Sequence, residues 1–75
     1  MTASERRFLW NQYPEIMEMF EEYNSILLED DGAWERMIVR CHEIADRYHG
    51  NKVVEMLLSD AAYQLEILAR KRRGC

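Results

Sequence analysis

Residues 51–72 read NKVVEMLLSDAAYQLEILARKR, and this stretch decides the fold. Gly and Pro are absent from it, and Leu, Met, Ala, Glu and Arg dominate, which favours a helix. At about 100° per residue, Val54, Leu57, Ala61, Ala62, Leu65, Leu68 and Ala69 gather around Leu58 in one broad apolar stripe. A second line, made of Met56, Tyr63 and Ile67 with Val53 to one flank, runs down the opposite side and is interrupted by Asp60. A surface helix needs one apolar face. Two faces mean a helix central to the monomer, or one whose second face is covered by another protein. Val53, Met56, Tyr63 and Ile67 are therefore the candidate self-association or partner surface.

Upstream, the same reading gives two further helices and a short leading one. Thr2 and Glu5 have capping-box spacing and open a helical segment over about 3–11. Asn11-Gln12-Tyr13-Pro14 breaks or kinks it, because the residue before proline avoids the α region and proline suits the first position of a new helix. The next helix is expected over 14–29. Its inner face holds Tyr13, Ile16, Met17, Phe20, Tyr23, Leu27 and Leu28, with Met19 and Ile26 widening the arc. Glu29-Asp30-Asp31-Gly32 is a turn in which Asp30 or Asp31 can cap the following helix. That helix spans about 33–49, with Trp34, Met37, Ile38, Cys41, Ile44, Ala45 and Tyr48 as its core stripe. Gly50 can take the left-handed position that closes it, and Asn51 can cap the last helix. The expected fold is all-α: a single domain over 1–75, a small three-helix bundle with an additional short N-terminal helical segment.

A 75-residue chain that is 48% hydrophobic forms a real but small core. A domain of this size buries only about 60–65% of its unfolded surface, so oligomerisation would supply missing burial. A homodimer or a larger protein partner is the expected company.

The net charge of −4 excludes a uniformly basic nucleic-acid-binding domain and hides an uneven layout. Glu15, Glu18, Glu22 and Glu29 fall on one side of the second helix and form an acidic ridge, suited either to solubility or to steering a basic partner. Arg36, Arg40 and Arg47 share one flank of the third helix, and Arg70, Lys71, Arg72 and Arg73 end the fourth. Together with the His49-Gly50-Asn51 turn they make a helix-turn-helix-like nucleic-acid contact the alternative function. There Asp60 and Glu55 would meet phosphate repulsion.

His42, Asp46 and His49 stand at i, i+4 and i+7, and two imidazoles with a carboxylate can bind a divalent metal. Nothing completes a tetrahedron, so no metal or cofactor is expected. No phosphate loop, dinucleotide fingerprint or calcium loop is present, and three short helices offer little cleft volume, so no enzyme is expected. No stretch reaches about 18 apolar residues, and Phe8 to Trp10 is too short for a signal sequence. Cys41 reads as a buried free thiol and the terminal Cys75 as mobile. That usage suits a reducing, cytoplasmic setting. The function these features favour is a non-catalytic protein–protein interaction module, a self-associating adaptor or a small acidic inhibitor of a larger protein.

Overall fold

The structure is a computed structural model, and it describes residues 2–74. Cys75 lies outside the described residues. Four helices follow one another: α1 (Ala3–Gln12), α2 (Pro14–Glu22), α3 (Asp31–Arg47) and α4 (Lys52–Gly74). The expected all-α bundle with a short leading helix is what forms.

Local rules set most helix ends. The Thr2 hydroxyl accepts from the Glu5 amide at 3.1 Å and the Glu5 carboxylate answers the Thr2 amide, completing the capping box. The first-turn carboxylate also gains from the positive end of the helix. Pro14 opens α2 at the position where a missing N–H costs nothing. The Asp30 carboxylate accepts from the Ala33 amide at 3.1 Å and caps α3. The Asn51 side chain accepts from Val53 at 2.9 Å and from Val54 at 3.3 Å, capping α4.

α4 is the spine. It packs against each of the other three helices, whereas α1 and α3 each pack on α2 and α4. Among the described residues, six of the twelve buried ones belong to α4, namely Val54, Leu57, Leu58, Ala61, Leu65 and Ala69, so removing this helix would remove half the core. Ile16, Met19 and Ile26 oppose them from the α2 side, and Ala33, Met37 and Ile44 from α3. Every fully buried residue among those described is apolar.

Four expectations are corrected, the last of them for Ile38. First, α2 stops at Glu22 instead of running to 29, and a stretch of turns follows up to Asp30. The last carbonyls of a helix and its turn need donors, and here they come from distant side chains. The Trp34 indole N–H donates to Leu27 O at 3.1 Å and to Leu28 O at 3.2 Å. The Arg72 guanidinium donates to Asn24 O at 2.7 Å and also to Ile26 O.

Second, the phase of α2 turns towards Met19: Met19 is fully buried, Phe20 is only half-buried and Leu27 is exposed. Glu15 and Glu22 flank Met19, and both find partners on α3 (below), which draws that side inward. Third, α3 ends at Arg47, earlier than expected. Both His49 (φ 45°) and Gly50 (φ 77°) take the left-handed conformation, which glycine tolerates and histidine adopts at some cost. Ile38, placed in the core stripe by its spacing, is half exposed instead.

Candidate partner-binding surface

α4 carries apolar side chains on the side turned away from the core. Tyr63 is 60% exposed and Met56 47%, with Val53 also exposed. Ile67 is half-buried. Asp60, in the middle of this line, is occupied within the chain. Arg6 of α1 reaches it, Nε to carboxylate 2.5 Å, with both side chains 19% exposed. The bond raises the Arg6 pKa above its ordinary value. α1 thus covers one edge of the second line, and Gln64 and Leu68 turn towards it beside Trp10 and Phe20. The remainder of the line stays open.

Next to Tyr63, a groove of about 500 Å³ runs between α3 and α4. Its walls are Leu28, Trp34, Met37 and Ile38 on one side and Ser59, Ala62, Tyr63 and Glu66 on the other. A smaller hollow of about 260 Å³ continues it beyond Ser59, bounded by Cys41, His42, Ala45, Glu55 and Leu58. Ile38 is 50% exposed because it stands on this rim. The sequence alone could not reveal the groove, since it exists only where two helices meet.

The four carboxylates of the expected acidic ridge do not form one row. The Tyr48 hydroxyl of α3 donates to Glu15. Glu22 meets Arg40 of α3 at 3.8 Å. Glu18 is exposed, and Glu29 sits in the turns after α2, out of phase with the helix. The hydrogen bond to Glu15 stabilises the neutral phenol, so the Tyr48 pKa is raised above the usual tyrosine value.

The basic residues are similarly divided. Arg40 faces Glu22, Arg70 pairs with Glu66 at 2.7 Å, and Arg72 holds the carbonyls after α2. Arg36, Arg47, Lys71 and Arg73 are exposed. Contact of Arg72 with a nucleic acid would release the carbonyls after α2, whereas the exposed pairs of Arg40 and Arg70 exchange readily. Asp60, in turn, is already matched by Arg6, so it is not the repulsive charge its position in the sequence suggested.

His42 and Asp46 are exposed on α3, but His49 leaves the helical phase because α3 has ended, so the i, i+4, i+7 spacing does not translate into one cluster. Among the described residues no group of three or more His, Cys, Asp or Glu side chains is placed to hold a metal ion. Cys41 is a free, half-buried thiol 3.6 Å from the Met37 sulfur, and burial pushes its pKa up, away from the reactive thiolate. Among the described residues, no helix is long and apolar enough to cross a membrane.

The comparisons supply no relative: no family model, no curated protein and no solved structure matches this chain. The fold defines a small all-helical domain, and function must be argued from its surface.

Proposed function

We propose that the chain is a non-catalytic protein–protein interaction module, an adaptor that self-associates through the line Val53, Met56 and Tyr63 of α4, with Ile67 at its edge. The carrying observation is the exposure of Tyr63 and Met56 on the helix that also supplies half the core. Single exposed apolar residues are ordinary on monomers. A run of them along one helix, beside an apolar groove, is the pattern of a contact surface. Self-association ranks ahead of an acidic-inhibitor role because Glu15 and Glu22 already answer to Tyr48 and Arg40. The free Cys41 suits the reducing setting of the cytoplasm.

Sedimentation across a wide range of concentrations tests this. The wild type should run heavier than its 9.0 kDa monomer as concentration rises. Tyr63→Glu and Met56→Glu should stay monomeric with unchanged helicity, since both positions lie outside the core. A wild type that remains monomeric throughout overturns the self-association.

A further inference from the structure

The groove between α3 and α4 has a consistent chemistry along its length. We propose that it receives one amphipathic helix of a partner protein, about three turns long, whose apolar stripe is flanked by Lys or Arg. This rests on the interaction-module reading and names the partner's chemistry.

Length comes first. Glu66 bounds one end and Glu55 the other. Eleven residues at 1.5 Å each span about 16 Å, the length of three helical turns. The floor comes second. Trp34, Met37, Leu58 and Ala62 present apolar surface, with Ile38 and Tyr63 standing above it. A channel between two helices with such a floor suits the apolar face of a third helix.

Charge decides the flanks. Glu55 and Glu66 stand on the α4 bank. On α3, His42 borders the hollow and exposed Asp46 stands about 40° from it around the helix, whereas Glu35 lines a separate hollow with Arg36 and Val39. The arginine flank of α3 points the other way, where Arg40 meets Glu22. Glu55 pairs with Lys52 at 3.9 Å and Glu66 with Arg70 at 2.7 Å. Glu55 and Glu66 line the groove and its hollow whereas Lys52 and Arg70 do not, and exposed pairs within a helix are weak enough to exchange for a partner's charges. The banks stay negative, so an incoming helix with basic flanks is favoured over one with acidic flanks.

The probe is a synthetic alanine-based helix with Leu at i, i+4, i+7 and i+11 and Arg beside the stripe. Its control carries Glu in place of every Arg. Binding to the full chain is followed by peptide fluorescence anisotropy. The Arg helix should bind about tenfold more tightly than the Glu helix at low salt, with the gap closing as salt rises. Glu55→Lys combined with Glu66→Lys should reverse the preference. Ile38→Asp should abolish binding of both peptides; Ile38 stands on the rim, and circular dichroism verifies that the variant folds. Equal affinity for the two peptides, or full binding by Ile38→Asp, overturns the proposal. So does an Ile38→Asp chain that loses its own association while the Arg helix never competes, since the occupant would then be a second copy. Peptides that fail to bind while Met56→Glu still abolishes self-association remove the groove's occupant and leave the interaction module standing. Peptide binding by a chain that is always monomeric supports the groove and removes the self-association.

Discussion

Tyr48 ties the end of α3 to the first turn of α2 through one hydroxyl. It donates to Glu15 of α2, and its ring meets Tyr13 edge-on at 5.2 Å. The Tyr13 hydroxyl in turn accepts from Asn51 at 3.4 Å, the residue that caps α4. The bond to Glu15 needs the phenol proton, so the folded-state pKa lies above the unfolded one. Its stabilisation is therefore complete below the ordinary phenol range near 10 and disappears as pH rises through the raised value. Urea unfolding of wild type and Tyr48→Phe should show the wild type more stable at neutral pH, and the gap should close in strong alkali. The absence of any gap at neutral pH would assign Tyr48 to packing alone, since the variant keeps the ring. Trp10 gives the opposite lesson. Its ring packs on Phe20 at 4.8 Å, but its buried indole N–H has no partner among the described residues, so the docking of α1 is less complete than that of α3. At this scale the sequence was readable wherever a rule is local. Thr2 with Glu5, Pro14, Asp30 and Asn51 sit where capping rules put them. Arg6 with Asp60 and Arg72 with Asn24 were invisible, because 54 and 48 residues separate the partners.

At the scale of elements, α4 matters because its period and its phase were both unambiguous. Val54, Leu57, Leu58, Ala61, Leu65 and Ala69 are buried, and Ala62 and Leu68 beside them are half-buried. Leu58→Ala should cost about 2–5 kcal/mol in denaturant unfolding. A chain of 75 residues holds only about 4–11 kcal/mol in total, so the loss should be plain as a lower midpoint. A near-neutral result would mean that Leu58 is not packed as described. On α2 the spacing predicted the helix and its start but neither its phase nor its end. Apolar residues surround most of that helix, so spacing alone did not choose between Met19 and Phe20 as the buried centre. Its end at Glu22 was also hidden, since the donors that satisfy the following carbonyls lie on α3 and α4. Ile38 was assigned to the core for a related reason. Its position on α3 is apolar by spacing, but no neighbouring helix reaches far enough to cover it.

At the scale of the molecule, shape accounts for what remains uncovered. The Cα frame measures 36 × 27 × 16 Å. The 23 residues of α4 would extend about 34 Å at 1.5 Å per residue, so this helix runs nearly the full length. Two helices packed about 8–10 Å apart, each with a Cα radius of about 2.3 Å, fill a Cα depth of about 13–15 Å, so the short dimension holds two layers. A slab so thin has no further layer with which to cover the outer side of α4, and the exposed line and the groove are the consequence. The sequence revealed the second apolar line, of which Val53, Met56 and Tyr63 stand exposed. It could not say that α1 would cover one edge of that line, or that α3 would open a groove beside the rest.

Whether another protein sits on the open side of α4, as proposed, is reported directly by the methionines. Met19 and Met37 are buried and Met56 is exposed, so their methyl signals can be compared within one sample. A paramagnetic cosolute should broaden the Met56 methyl in dilute solution and leave those of Met19 and Met37 sharp. As concentration rises and the chain associates, Met56 should become protected while the other two do not change. A Met56 methyl that stays as open to the cosolute at the highest concentration as at the lowest would contradict the account.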